Sequence, residues 1–299
     1  MRKLTALLAG MTLAMSALPA AAGVVITQKQ HVSSGRNSRD SKQTIWVQGN
    51  KQKVVDDRTL SMQGAQGNKD TRVEEKMIIT DLDKGMMYVI DPKQKSYYER
   101  EFPPKGEAER KVMAANSNPN MNLKKAGTSR EVAGYKCEEY DGGGHTMIGD
   151  ATVKECYSTS APGAEEYSAF EKSALSKLKA IGVAEPAVVP EGVPLALDAT
   201  TKMGSNVSIP GMPPEQAAKL AEMMKNRPPV VTSTEVEKIE TQKLASDTFT
   251  VPAGFTKEEP PAGPGMGMRM PPGGIKGMKM MPPGAMMMAP SAAASPAAH

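Results

Sequence analysis

The sequence is poor in aromatic residues, which form 4% of its 299 positions. Since aromatic side chains supply much of the buried area in most cores, a core here must rely on Val, Ile, Leu and Met. The roughly 240 residues between Gly23 and Glu259 are enough for one domain that buries such a core. We therefore expect a single domain with a modest core.

Histidine is scarcer still, with three residues far apart in the chain: His31, His145 and His299. We interpret His31, at the polar end of a predicted strand, and His145, in a glycine-rich predicted turn, as exposed side chains rather than bases or ligands. The chain also lacks the G-x-S-x-G, P-loop and H-E-x-x-H motifs. These absences predict a non-enzymatic protein that needs no cofactor.

Neither sign of charge is in large excess, because 37 Lys and Arg residues against 33 Asp and Glu residues give a formal charge of only +4. Loss of Arg2 and Lys3 with an export signal would lower that charge to +2. So small a charge gives no reason to expect a nucleic acid as partner.

No apolar run reaches the length of about 20 residues that a membrane-spanning helix needs. Instead, Arg2 and Lys3 precede a short apolar stretch over residues 4–18, and "ALPAAAG" then supplies the small residues that signal peptidase prefers. We predict a signal peptide over residues 1–22, cleaved after about Ala22, and a periplasmic mature chain without a transmembrane segment. The alternative is that the segment stays as an N-terminal anchor. A lipid anchor at the cut would need a cysteine there, and the first cysteine is Cys137.

The two cysteines lie in "AGYKCEEYD" and "ATVKECYST", which are strand-like segments on either side of the turn-rich "GGGHTMIGD". In an exported chain, this arrangement predicts a structural disulfide between Cys137 and Cys156 across a hairpin. A redox pair is less favoured because there is no C-x-x-C motif, and a metal site is less favoured because only His145 lies nearby.

Strand-like patterns dominate the first half of the chain. Residues 23–32 alternate after an apolar start, and residues 43–57 form two runs around the turn dipeptide Gly49-Asn50. Residues 78–79 and 86–90 flank another turn, and a third run surrounds Tyr97-Tyr98. The patterns predict an antiparallel meander.

Helical spacing appears in the second half. Apolar residues recur along 165–182 at steps of three and four, and a second, shorter pattern runs from Glu215 to about Asn226 with Ala217, Leu220, Ala221 and Met224 on one side. The apolar stripe of the first helix consists of Tyr167, Phe170, Ala174, Leu178 and Ile181. Together with strand patterns after the helices, this predicts the α+β class, with a curved antiparallel sheet and the helices on one face.

A family resemblance rests on an ordered series of segments: "GMMYVIDPKQKSYYE", "GTSREVAGYKCEEYD", "ATVKECYS", a helix, "GVPLALD", "TSTEVEKIE" and "DTFTVPAGFTK". The series resembles the exported bacterial family of domains of unknown function numbered 4412, over most of residues 24–257. That family's fold is similar to the lipoprotein carriers LolA and LolB. The resemblance implies a half-open barrel whose concave face is roofed by helices, a shape that holds acyl chains in the carriers. The proline-rich "VAEPAVVPEGVP" and the C-terminal tail depart from it, and no residue set carries over.

The helical stripe has two interpretations. Tyr167, Phe170, Leu178 and Ile181 either line a cleft for an apolar, lipid-like ligand or pack as an ordinary core, and the core is the more common use of such a stripe.

The tail from residue 260 to residue 299 is rich in Met, Pro, Gly and Ala and has no aromatic residue, so we predict that it is disordered. Thioethers suit Cu(I), and five methionines alternate in two clusters: Met266, Met268, Met270, Met278 and Met280. Other uses are an adaptable contact surface or a sacrificial site for oxidants. Compositional drift would explain the same segment without a function.

The domain predicted over residues 23–259 thus carries three functional hypotheses. The leading one is binding of an apolar or amphiphilic ligand in the cell envelope. The second is Cu(I) handling through the tail, and the third is a structural or interaction role.

Overall fold

The computed structural model describes most of the chain between residues 22 and 260. The described ranges are 22–63, 69–107, 109–110, 122–146, 149–183, 186–204 and 213–260. The predicted signal peptide, apart from Ala22, and nearly all of the predicted tail lie outside these ranges.

The described part forms one large, curved and unclosed sheet with two helices. Its strands are β1 (Gly23–Ser34), β2 (Asn37–Gln48), β3 (Lys51–Gln63), β4 (Lys69–Asp81), β5 (Met86–Asp91), β6 (Ser96–Glu101), β7 (Lys124–Val132), β8 (Tyr135–Thr146), β9 (Gly149–Ser158), β10 (Val193–Met203), β11 (Val230–Gln242) and β12 (Thr256–Lys257). The helices are α1 (Ala164–Ala180) and α2 (Pro214–Lys225). The α+β class and the open antiparallel sheet predicted from the sequence are confirmed.

The strand order is β12-β6-β5-β4-β3-β2-β1-β11-β10-β9-β8-β7. Strands β1 to β6 are neighbours in chain order, as the predicted meander requires, and only the short β12 pairs in parallel, with β6. The predicted turn at Gly49-Asn50 joins β2 to β3, and Gly49 takes a φ of 56°, a conformation that glycine adopts without strain.

Helix α1 packs on one face of this sheet through its predicted stripe. Tyr167, Phe170, Ala174 and Leu178 are buried in a cluster with Val24, Ile26 and Val47, and Ile181 packs at its margin. At the start of α1, a Cβ on Gly163 would lie 2.5 Å from the Cβ of Val24, so only glycine permits this approach. We call the sheet surface under α1 the α1 face.

The opposite face has a second core that the sequence patterns did not predict. Residues 243–255, after β11, cross this face and bury Leu244 and Phe249 against Val25, Ile79 and Ile90. One of the strand patterns predicted after the helices is "DTFTVPAGF". The segment forms turns instead, with Thr250 N donating to the Asp247 carbonyl oxygen at 3.1 Å. Its aromatic residues pack onto the sheet instead of pairing with it, so the strand prediction is wrong there.

The first part of the glycine-rich segment predicted as a turn belongs to a strand, and β8 joins β9 between Thr146 and Gly149. Strand β8 continues through Gly142 to Thr146, so His145 lies in a strand beside Asp150. A Cβ on Gly142 would come within 2.8 Å of the Leu123 side chain. The glycines therefore serve close packing here rather than a change of direction.

Helix α2 begins within one residue of its predicted start and buries Met224. The more buried residues of the helix are those predicted to share a side, while Met223 is 63% exposed. Among the described elements, α2 contacts β10. At Gly204, just after β10, an added Cβ would lie 2.6 Å from the Lys225 backbone nitrogen, so the two segments approach closely there. That both helices share one face of the sheet remains a prediction.

Candidate functional site

The α1 face changes character along the strands β1, β2 and β3. Residues that pair directly across an antiparallel sheet point to the same side, and every second residue of a strand does so as well. From the end near the start of β1, the first two rows are Val24–Val47–Gln52 and Ile26–Ile45–Val54. We call Val24, Ile26, Ile45, Val47 and Val54 the apolar half of the face.

The next three rows carry polar side chains in positions equivalent to those of a core. The polar half of the face consists of Gln28, Gln30, Arg39, Ser41, Gln43, Asp56 and Arg58. Five of them are buried, namely Arg39, Ser41, Gln43, Asp56 and Arg58. Only Val32 and Leu60, which flank Arg39 in the last row, are apolar there.

Hydrogen bonds join these side chains across the strands. The Gln28 amide donates to Gln43 Oε1 at 2.7 Å, and Arg39 Nη2 donates to Gln30 Oε1 at 2.6 Å. The Gln30 amide in turn donates to the Thr234 hydroxyl on β11 at 3.3 Å. These bonds form two separate groups, one of Gln28 with Gln43 and the other of Arg39 with Gln30 and Thr234. Part of the polar half is therefore organised by direct contacts between its side chains.

Two arginines and one aspartate give the polar half its charge. Arg39 is 5% exposed, Arg58 is 4% exposed and Asp56 is 3% exposed. Arg58 Nε donates to Asp56 Oδ2 at 2.5 Å. Burial and then the nearby Arg58 charge lower the pKa of Arg39 below its ordinary value, against the opposing charge of Asp56. The two guanidinium groups are thus close enough to repel each other.

Two oxygen atoms of the polar half could accept hydrogen bonds that they do not make. Ser41 Oγ and Asp56 Oδ1 are buried and have no hydrogen-bond partner in the structure. Buried polar atoms are nearly always satisfied, so each such atom calls for an explanation such as a bound ligand or water.

Beside α1 there is a small pocket, away from the side chains of the apolar half. The pocket is lined by Tyr157, Tyr167, Ser168, Glu171, Lys172, Leu175, Val189, Pro190 and Gly192, and its volume is about 20 Å³. That volume suits about one water molecule, whereas a site for a small organic ligand needs roughly 300 Å³ or more. In the form described, this pocket does not hold an acyl chain.

A buried carboxyl group lies in the wall of this pocket. Glu171 is part of the buried side of α1, and its Oε1 has no hydrogen-bond partner in the structure. Burial raises the pKa of the Glu171 carboxyl to about 8. Burial also raises the pKa of the nearby Tyr157 and Tyr167 hydroxyls well above their ordinary value, with Glu155 and Glu171 adding to the effect. Burial of the Glu171 side chain is therefore costly when its carboxyl group is ionised.

The candidate ligand-binding residues from the sequence lie in this core. Tyr167, Phe170 and Leu178 are buried and Ile181 is partly buried, all on the apolar half or its margin. The sequence interpretation missed the polar half entirely. Its signal was present in "NSRDSKQTIWV", where Arg39, Ser41 and Gln43 occupy the same alternate positions as Ile45 and Val47.

The predicted disulfide is present between β8 and β9. Cys137 Sγ and Cys156 Sγ are bonded at 2.06 Å, and both side chains belong to the cluster that contains the α1 stripe. In the strand register, Cys156 faces Glu139, two residues along from Cys137, so the bond is diagonal rather than directly across.

The proposed copper ligands cannot be placed, because Met266, Met268, Met270, Met278 and Met280 lie outside the described residues. Within the described ranges, no group of three or more His, Cys, Asp or Glu side chains is arranged to hold a metal ion. Among the same residues, no helix is both long enough and apolar enough to cross a membrane.

Comparison with known proteins agrees with the resemblance found in the sequence. The family described as "Domain of unknown function (DUF4412)" matches residues 37–158, which run from the start of β2 to the end of β9. The polar half on β2 and β3 and both cysteines fall within this match, whereas the closing "FTVPAGF" falls outside it.

Among solved structures, the chain is similar to the crystal structure of a DUF1329 family protein from Desulfovibrio piger. The two are 7% identical with a TM-score of 0.21, and the match covers 77% of this chain and 90% of that chain. A likeness this low supports no inference about function. No curated protein matches the chain.

Proposed function

We propose that the protein is a non-enzymatic binding protein of the cell envelope that holds an amphiphilic, lipid-like ligand on the α1 face. The observation that supports this most is the division of one continuous face into an apolar half and a buried polar half. An amphiphile has the same division within one molecule. Binding sites for such ligands combine an apolar wall with a few placed polar groups.

The apolar part of the ligand would compete with α1 for the apolar half. The pocket beside α1 has room for about one water, so an acyl chain needs the space that Phe170 and its neighbours occupy. Burial of Glu171 makes the packing of α1 less favourable than that of an apolar helix face. The carboxyl group must either stay protonated or be ionised in a buried place, which costs free energy. Elements that move on binding are drawn from the less stable parts of a fold.

The direct test is native mass spectrometry of the full chain purified from the cell envelope without detergent. We expect a bound species of lipid mass that is released by organic solvent. The same sample denatured before desalting serves as the control for loosely associated material. Protein that carries neither lipid nor any other organic ligand, even after incubation with envelope lipids, would contradict the proposal.

A second candidate function is favoured by the composition of the tail alone. The alternating methionines, Met266 to Met270 and Met278 to Met280, are the kind of soft ligands that Cu(I) prefers. If they bind Cu(I), a chain truncated after Glu259 should lose copper uptake in an anaerobic competition titration against a chromogenic chelator. Equal uptake by the full and truncated chains would exclude the tail. Since thioethers do not titrate, uptake by the full chain should persist at mildly acidic pH.

A further inference from the structure

Residues 186–192 form a strap that lies between α1 and β10 in the chain and covers the pocket beside the helix. Val189, Pro190 and Gly192 of the strap are part of the pocket wall, and Glu171 of α1 lies in the same wall. Before Gly192, every strap residue is exposed or half-buried and none belongs to a helix or strand. The buried carboxyl group thus lies under a single thin layer of chain.

The strap is fixed more firmly at its ends than along its length. Val183 and Val193, on either side of it, are buried in the cluster that contains the α1 stripe. Near the second end, Gly192 N donates to Ser168 Oγ of α1 at 2.9 Å. A segment with few buried contacts opens at a low cost in free energy. The strap can therefore open while both of its anchors stay in the core.

Opening of the strap changes the surroundings of Glu171. Its Oε1 is buried without a hydrogen-bond partner, and the pocket has room for about one water. A neutral carboxyl group tolerates such a place better than a carboxylate, which needs several hydrogen bonds or a cation. Burial accordingly raises the pKa of the Glu171 carboxyl from 4.5 to about 8. Once the strap is open, water reaches the carboxyl group and its pKa returns toward the ordinary value.

Other titratable groups near this carboxyl group lie on α1, β9 and the strap. Tyr157 and Tyr167 stay neutral at ordinary pH, because burial raises the pKa of both hydroxyls well above its usual value. At the rim, the hydrogen bond from Lys172 lowers the pKa of the exposed Glu191 carboxyl, so that group stays ionised. Glu155 on β9 accepts a hydrogen bond from the Tyr157 hydroxyl at 2.9 Å and is not part of the pocket wall. A comparison in which only the carboxyl group of α1 is changed leaves all of these groups in place.

We propose that the strap is closed over the neutral Glu171 carboxyl group and opens when that group ionises. The open form binds fewer protons than the closed form, so rising pH favours it. The ratio of open to closed protein should rise by up to about tenfold for each pH unit between the two pKa values. Opening admits water and small molecules to the pocket beside α1. The inference goes beyond the proposed function and does not depend on it.

Limited proteolysis of the full chain with a glutamate-specific endopeptidase tests the proposal, because Glu191 lies within the strap. A protease cuts a segment that has opened, so the cleavage rate follows the population of the open form. At pH 8, we expect cleavage after Glu191 to be at least about fiftyfold faster in the parent than in Glu171→Gln, whose side chain stays neutral. At pH 5, the ratio should fall below about fivefold. Comparing both proteins at the same pH removes the pH dependence of the protease itself.

A control variant and a second cleavage site separate the strap from the rest of the domain. Ser168→Ala removes the hydrogen bond to the strap without changing any charge, so it should speed cleavage after Glu191 by the same factor at both pH values. Glu155 is 2% exposed in β9, so cleavage after it reports unfolding of the sheet. We expect no cleavage after Glu155 on the time scale of cleavage in the strap.

Equal rates of cleavage after Glu191 in the parent and in Glu171→Gln at pH 8 would overturn the proposal. Cleavage after Glu155 that keeps pace with cleavage in the strap would also overturn it, because the whole domain would then be unfolding. If Glu171→Gln does not fold, the parent is compared with an isolated peptide of residues 186–196. The ratio of the parent's cleavage rate to that of the peptide should rise at least about tenfold from pH 5 to pH 8, and a constant ratio would contradict the proposal.

Discussion

The two halves of the α1 face are built from the same three strands but bury opposite kinds of side chain. In the apolar half, Ile26 and Val47 are almost fully buried in the cluster that also contains the stripe of α1. In the polar half, Arg58 and Asp56 are equally well buried, but parts of the network lack hydrogen-bond partners. One half has the composition that favours stability, and the other has a composition that costs stability.

That contrast separates the roles of the two regions. Apolar burial contributes about 25 cal/mol for each Å² removed from water, so the apolar half stabilises the fold. Buried ion pairs are often no better for stability than apolar residues of the same size. Since the buried charges of the polar half bring no evident gain in stability, we propose that they set the specificity of binding.

The largest effect should come from Phe170→Ala, which removes the central side chain of the α1 stripe. Phe170 is 3% exposed, so its loss should open a cavity and lower the free energy of unfolding by about 3–5 kcal/mol. Urea titration followed by far-ultraviolet circular dichroism measures this, with Met223→Ala on the exposed side of α2 as the control. An unchanged midpoint would show that the apolar half is a cleft rather than a packed core, and the comparison between the halves would fail.

Removal of the disulfide should have the next largest effect. Cys137 and Cys156 are 19 residues apart, and the entropy of closing such a loop predicts a loss of about 2–4 kcal/mol in a Cys137→Ser/Cys156→Ser variant. The double variant leaves no unpaired thiol that would complicate the measurement. Thermal melting of this variant and of the oxidised parent provides the comparison. Equal melting temperatures would mean that the cluster around the cysteines holds without the bond.

The apolar stripe of α1 and the turn between β2 and β3 could be predicted from the sequence because their signals are local. The spacing of Tyr167, Phe170 and Leu178 fits one helical face, and the dipeptide Gly49-Asn50 fits a hairpin turn. The disulfide was predicted from the expected export signal and from the strand-like segments around each cysteine. Each of these inferences used residues close together in the chain.

The polar half could not be predicted because its meaning depends on distant pairing. Arg39, Ser41 and Gln43 look like one solvated face of β2 until the register places them beside Asp56 and Arg58 on the α1 face. The second core was missed for a similar reason. Phe249 becomes a core residue only because residues 243–255 return across the sheet, and a pattern of local alternation resembles a strand in either case.

A pH-dependent effect should distinguish Glu171 from the apolar side chains that α1 buries. Below its ordinary pKa, the carboxyl is neutral in both the folded and the unfolded chain and changes nothing. Between the ordinary pKa of 4.5 and the raised pKa of about 8, the unfolded chain releases the proton and the folded chain keeps it, so stability falls as pH rises. Above about pH 8 both states are ionised and the loss is complete.

The variant Glu171→Gln removes this dependence while keeping the shape of the side chain. Relative to this variant, the free energy of unfolding of the parent should fall by up to about 1.4 kcal/mol for each pH unit between pH 5 and pH 8. Melting temperatures of both proteins at pH 5, 6, 7 and 8 measure the difference, and Glu165→Gln, an exposed position in the first turn of α1, is the control. Parallel pH profiles for Glu171→Gln and the parent would show that the carboxyl is solvated.

The smallest effect on stability should come from Ser41→Ala in the polar half, and its smallness is the informative result. A buried hydroxyl without a partner contributes no hydrogen bond, so its removal should leave the unfolding free energy unchanged or raise it by up to about 1 kcal/mol. Urea titration and thermal melting of the variant and of the parent measure the difference in stability. A variant that is clearly destabilised would mean that the Ser41 hydroxyl has a structural partner and supports the fold. The polar half would then not differ from the apolar half at this position.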